Sequence, residues 1–246
     1  MLIQTLSMLT LYQIIVFTVI ISMMIITVKT KKLTYPAAAI ATGIGFLVYT
    51  AARERGIVML ILFFILSVAA TAHNKKFKNI QLSLSQSQER KAGQVFANGG
   101  VAGILAILIL LDPGHSILYI LMMACSLSSA LADTLSSELG IVYGRNFVNI
   151  LTFKKELRGL DGVVSMEGTA IGAIGAGIIA ITYAGFNRVS LIVLFSGIIG
   201  NLSDSILGAA LERKDYISNN VVNFLNTSIA AFVGMALYLI FQSKIL

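Results

Sequence analysis

Eight stretches of this chain carry no Lys, Arg, Asp or Glu: Met1–Val28, Leu33–Ala52, Gly56–Ala72, Ala92–Leu111, Pro113–Ala132, Gly168–Asn187, Val189–Ser203 and Tyr216–Ser243. A hydrocarbon layer about 30 Å thick is crossed by about 20 apolar residues in a helix, so most of these are long enough to span a bilayer. The seventh becomes a full crossing only if its helix continues through Asp204 toward Leu211. Composition agrees: 57% of the 246 residues are hydrophobic and 12% charged. Soluble domains run at about 45–50% apolar and about 25% charged. Two prolines exclude a Pro-rich linker protein, and the single cysteine, Cys125, excludes a disulfide framework. The expected fold is all-α: one polytopic membrane bundle of about eight helices over residues 1–246. Its parts are three leading spans (1–72) and a motif-bearing portion (73–246). Met1–Val28 lacks a basic leader and a small-residue cleavage site, so it reads as an anchor.

The connecting segments orient the bundle. Fourteen of the eighteen Lys and Arg residues follow the odd-numbered spans, and only Arg53, Arg55, Arg188 and Lys244 fall on the other side. By the positive-inside rule the richer side is cytoplasmic, which puts both termini outside. In a bacterium that means the cell membrane, with any site at these helix ends facing the cytoplasm. A net charge of +7 on so apolar a chain reports topology and anionic ligands rather than a nucleic-acid surface, so no nucleic-acid partner is expected.

Acids within membrane helices are costly and mark function by default. Asp133 and Glu138 lie at the cytoplasmic end of span five, and Asp204 lies at the same end of span seven. Gly197, Gly200, Asp204 and Gly208 form one stripe at helical spacing, so a neighbouring helix can approach closely and the carboxylate should enter an inter-helix seam. Asp133 and Glu138 are five apart, about 140° around an ideal helix, and should address different neighbours unless the helix breaks. Arg90, Gln94 and Asn98 recur every four residues at the start of span four. One guanidinium and two amides on a face suit a phosphate or a base, and interhelical hydrogen bonding is the competing reading. Asn219 and Asn223 open the last span on one face, with Asn220 and Asn226 nearby. Lys76 and Lys78 follow span three, where orientation or lipid contact is the simpler role. Lys155 and Arg158, followed by Gly159 and Gly162, only loosely resemble a phosphate loop, and no Walker or dinucleotide pattern is present. His73 and His115 fall on opposite sides and cannot share a metal. Gly168, Gly172, Gly175 and Gly177 suit helix packing.

Carboxylates beside bases at one membrane face suit a hard cation and an anionic amphiphile, the parts phosphoryl transfer needs. A lipid-phosphate kinase and a cytidylyltransferase both fit. An ion-coupled transporter is the rival of another class, although acids at helix ends rather than mid-span weigh against it.

Four motifs stand in order: Gln94-Val95-Phe96-Ala97-Asn98-Gly99, Ala132-Asp133-Thr134-Leu135-Ser136-Ser137-Glu138-Leu139-Gly140, Gly200-Asn201-Leu202-Ser203-Asp204-Ser205-Ile206-Leu207-Gly208-Ala209 and Asn219-Asn220-Val221-Val222-Asn223. Together they resemble the integral membrane family that includes plant phytyl-phosphate kinase, from about Thr71 to the C-terminus. The resemblance implies Mg²⁺-dependent transfer of a phosphoryl group from a nucleoside triphosphate, CTP or ATP, to a prenyl monophosphate such as phytyl, geranylgeranyl or farnesyl phosphate. It makes Asp133, Glu138 and Asp204 the metal or catalytic candidates. Lys76, Lys78, Arg90, Lys155 and Arg158 become phosphate ligands, with Gln94, Asn98, Asn219 and Asn223 completing a polar pocket. A polyprenol kinase or a CTP-dependent cytidylyltransferase acting on a lipid phosphate is the neighbouring reading. The prenyl tail is expected along a groove lined by spans four, five and eight. A homo-oligomer is compatible with all of this.

Overall fold

The structure is a computed structural model that describes residues 11–81 and 89–242. Residues 1–10, 82–88 and 243–246, the last including Lys244, lie outside the described residues. The helices are α1 (Leu11–Lys29), α2 (Tyr35–Ala72), α3 (Lys75–Gln81), α4 (Ala92–Leu111), α5 (Ser116–Tyr143), α6 (Met166–Ala184), α7 (Arg188–Ala210) and α8 (Asn219–Gln242). Seven of them are long and apolar enough to cross a membrane.

One of the seven makes two crossings. Arg53 leaves helical geometry inside α2, with φ 52° and ψ −142°. Ala38 and Phe64 then pack in one cluster, although a straight helix would hold them about 39 Å apart. A Cβ on Gly56 would stand 2.7 Å from that of Ala52 and 2.8 Å from a Val48 methyl, so the chain doubles back tightly there and tolerates only hydrogen at that position. The halves of α2 are the expected second and third spans, and eight crossings result. Pro36 at the start of α2 and Thr34 as its N-cap, accepting from the Ala37 amide at 3.4 Å, fix where the first half begins.

α5 is the hub. Residues 121–132 are buried on every face, because α2, α4, α6, α7 and α8 all pack around it. It continues helical to Tyr143, past the expected span boundary at Ala132, and carries Asp133 and Glu138 within one unbroken helix. α7 likewise runs through Asp204 to Ala210. Helix starts are locally encoded: Ser165 accepts from Gly168 N at 3.1 Å, and Asn187 accepts from Val189 N at 2.8 Å and Ser190 N at 3.1 Å.

Two features were not foreseen. The short α3 folds back beside the end of α2. The segment between α5 and α6 forms a two-stranded hairpin, β1 (Val148–Asn149) against β2 (Val163–Val164), with Val148 opposite Val164. These are the only strands among the described residues. Arg213 ties the hairpin's loop to α7 by donating to Glu156 Oε2 at 2.7 Å and to the Asp161 carbonyl.

Candidate active site

At the Lys/Arg-rich end of the bundle, α4, α5, α7, α8 and the hairpin loop enclose a polar pocket of about 310 Å³. The glycine stripe of α7 explains its depth. A Cβ on Gly197 would stand 2.9 Å from Ser128 Cβ on α5 and 3.0 Å from Ala176 Cβ on α6. One on Gly200 would stand 2.7 Å from Ser129 Cβ on α5 and 2.9 Å from Ala230 Cβ on α8. With hydrogens at those positions α7 lies directly against its neighbours, and Asp204, one turn further on, enters the seam between α5 and α8.

Asp204 there comes within hydrogen-bonding reach of Asp133 of α5. Asn226, fully buried on α8, donates to Asp204 Oδ1 at 2.7 Å, and its own Oδ1 accepts from Ser129 Oγ at 3.1 Å. The Asn226 amide is thereby oriented from both ends. Two neighbouring carboxyl groups repel when both are charged, and a cation or a shared proton between them relieves that repulsion. Among the described ion pairs, neither aspartate has a base as partner. The pair is therefore built to share a proton or to hold a hard cation.

Of the face predicted from four-residue spacing, Gln94 and Asn98 share a face of α4, whereas Arg90 precedes the helix in extended backbone bridged to Leu33. Arg90 is strapped to the α1–α2 connector, its amide donating to Lys32 O at 3.0 Å and its carbonyl accepting from Thr34 N at 3.2 Å. Its guanidinium donates to Thr71 Oγ1 at 3.0 Å. Gln94 Oε1 accepts from the Lys91 amide at 2.9 Å and caps α4. Asn98 Nδ2 donates to Gln94 O at 3.0 Å, while Asn98 Oδ1 is buried without a partner. An orphaned carbonyl oxygen on a pocket wall is a place for a ligand donor or a hydrated cation. Across the pocket, Asn223 Nδ2 donates to Asn219 Oδ1 at 3.0 Å.

Eight of the twelve expected site residues thus line one pocket: Arg90, Gln94, Asn98, Asp133, Glu138, Asp204, Asn219 and Asn223. The three acids do not act as one cluster, however. Glu138 turns away from the aspartates and meets Lys78 at 2.6 Å, as its angular offset from Asp133 requires. Among the described residues no group of three or more His, Cys, Asp or Glu side chains is placed to hold a metal. Four expected phosphate ligands stand elsewhere. Lys78 is buried, donating to Ala70 O at 2.9 Å and Thr71 O at 2.8 Å, where it caps the end of α2. Lys76 and Lys155 are exposed to solvent outside the pocket. Arg158 donates to Ile141 O at 3.0 Å and lies over the Phe147 and Phe77 rings, holding the hairpin loop against α5 and α3.

Sequence reasoning passed over Asp161 and Glu212, which also line the pocket. Both lie beyond the spans, where an acid reads as solvated. The signal was Gly162. Its φ is +72°, and a Cβ there would stand 2.6 Å from Ala209 N and from Ser205 O, so this glycine seats the loop on the end of α7 and brings Asp161 over the aspartate pair.

Eight helical crossings around an acid-lined pocket define an integral, multi-pass membrane protein whose polar site is buried at one end of the bundle. The chain belongs to the family described as integral membrane protein DUF92, whose model matches residues 18–231. It is 30% identical over 237 residues to the uncharacterized membrane protein MJ0933 of Methanocaldococcus jannaschii, covering 93% of this chain and 96% of that one. It is 27% identical over 208 residues to the chloroplastic protein VTE6 of Arabidopsis thaliana, covering 80% of this chain and 62% of the plant protein. Protein PGR of the same plant is 27% identical over 242 residues, at 84% and 83% coverage. No solved structure matches the chain.

Proposed function

We propose that this protein transfers a phosphoryl group from a nucleoside triphosphate, preferably CTP, to a membrane prenyl monophosphate, forming the prenyl diphosphate. The observation that carries this is the Asp133–Asp204 pair, facing Arg90 and the amides of Asn98, Asn219 and Asn223 across one pocket. The motif resemblance to the phytyl-phosphate kinase family points the same way. Mg²⁺ is bound through one or two carboxylates, with waters and substrate phosphates filling its remaining positions. Asp133 and Asp204 are oxygen donors of that kind, neither of them in a described ion pair, and the unpartnered Asn98 Oδ1 can accept from a coordinated water. When bound, the ion would neutralise charge on the transferring phosphates.

The remaining work falls to the chain. Arg90, locked by the α1–α2 connector, orients an anionic head. Asn219 and Asn223 supply amide donors and acceptors for the nucleotide. No side chain need act as nucleophile, because a phosphate oxygen of the prenyl substrate attacks the γ-phosphorus as the bond to the β-phosphate breaks and the nucleoside diphosphate leaves. The site faces the cytoplasm if the basic end does. Asp133→Asn and Asp204→Asn should each lower turnover at least a hundredfold, measured with radiolabelled CTP and geranylgeranyl phosphate, while the purified protein keeps its gel-filtration profile. Near-normal turnover in either variant would remove that residue from the metal site. Uptake into vesicles without a phosphorylated product would replace the kinase by a transporter.

A further inference from the structure

A second cavity, of about 100 Å³, opens beside the polar pocket between α1, both halves of α2 and α4. Its walls are mostly apolar side chains, among them Met24, Ala41, Ile57 and Phe64, with the Thr27 and Thr42 hydroxyls satisfied by the Met24 and Ala38 carbonyls, until they reach Arg90, Gln94 and Asn98. Those three residues line the polar pocket as well, so the start of α4 and the strand-like residue before it are shared by both chambers. The apolar chamber spans Ile20 to Thr27 on α1, Ala38 to Gly45 on the first half of α2, and Ile57 to Phe64 on the second. Each interval is seven residues, about 10 Å along the bundle axis. The chamber therefore runs into the membrane from the level of Arg90. Its position differs from the groove expected along α4, α5 and α8. On the α8 side, Phe96 of α4 stacks on Phe224 at 5.9 Å, ring planes 3° apart, and occupies the space between those helices.

From this continuity we infer that the α1–α2–α4 chamber holds the hydrocarbon chain of the substrate whose anionic head is bound by Arg90 in the polar pocket. The inference rests on the proposed kinase reading for the identity of the head. An occupant of mixed chemistry is required, because a cavity with apolar walls and a guanidinium with two amides at its mouth matches neither a nucleotide nor a plain hydrocarbon. The connector from α1 to α2 serves both chambers: its backbone fixes Arg90, and its buried Leu33 lines the apolar side. Surrounding lipid is as apolar as the chamber, so the chamber supplies placement of the head rather than net affinity.

Two measurements test this on the full-length protein in bilayer nanodiscs. The first uses a dodecyl phosphate bearing a diazirine near the end of its chain, with peptide mapping after photolysis. Labelling of α1, α2 and α4, competed by farnesyl phosphate but not by farnesol, is the expected result. Labelling of α5 and α8, or equal labelling of the chamber by a diazirine phosphatidylcholine, would overturn the inference. The second is Ala41→Phe, which fills the chamber, with Gly45→Leu as a companion in case the first does not fold. The ratio of kcat/KM for farnesyl phosphate to that for dimethylallyl phosphate should fall at least tenfold; a ratio within twofold of the wild type would refute chain binding there. Failure of every prenyl phosphate to turn over would defeat the kinase reading alone, because the labelling arm needs no activity.

Discussion

Three acceptors surround the Lys78 ammonium: the carbonyls of Ala70 and Thr71 and the Glu138 carboxylate, with the lysine side chain only 6% exposed. The lysine closes the end of α2 and neutralises the one pocket acid that has a cationic partner. Removing it leaves a carboxylate, itself 25% exposed, without that partner. Lys78→Met should cost about 2–3 kcal/mol, below the full loss for a wholly buried pair because Glu138 keeps some solvent. Adding Glu138→Gln should restore most of that loss, read as melting temperatures in detergent. A phosphate ligand would behave differently, raising substrate KM with little change in melting temperature. This residue also shows where the sequence stops being legible. The offset of Asp133 from Glu138 follows from helix geometry alone and is seen. The destination of a flexible lysine depends on which carbonyl ends and acids the tertiary fold presents, so Lys76, Lys78, Lys155 and Arg158 could be counted as bases but not placed.

Glycine spacing on α6 and α7 was legible because close helix approach has a simple rule: a missing Cβ on each turn of one face. Gly200 shows the rule applied, since any side chain there would collide with Ser129 and Ala230 and push α7 away from both α5 and α8. Gly200→Val should therefore part Asp204 from Asp133, abolishing turnover and lowering the melting temperature together. Gly177 is the control. Its added Cβ would only touch Leu194 at 3.9 Å, so Gly177→Ala should keep activity and stabilise the helix by up to about 1 kcal/mol through its higher helix propensity. The hairpin and α3 were not legible, because elements of two and seven residues carry too little periodicity to stand out from a charged loop. The fold-back in α2 was legible as a pair of arginines, Arg53 and Arg55, interrupting what would otherwise be one apolar run.

At the scale of the whole molecule, eight crossings put the start of α1 and the end of α8 on the same side. They also gather the ends of α2, α5 and α7 and the starts of α4, α6 and α8 at the other. That second end holds the polar pocket and most of the Lys and Arg residues, and among the described bases only Arg90 lines the pocket. The opposite end is capped by the short turn at Pro113–His115. There Asp112 accepts from His115 Nδ1 at 2.8 Å and from the Tyr119 hydroxyl at 3.0 Å, which hold its carboxyl below the usual range. If the charge asymmetry sets orientation, the pocket faces the cytoplasm, where nucleoside triphosphates are held. Gly114 and Lys154 are exposed at opposite ends, and the native Cys125 is buried in α5 and out of reach of a polar reagent. In intact cells an impermeant maleimide should label Gly114→Cys and spare Lys154→Cys until the membrane is opened. The reverse pattern would turn the pocket outward, remove its access to cytoplasmic CTP or ATP, and leave the kinase proposal without a donor even with Asp133 and Asp204 side by side.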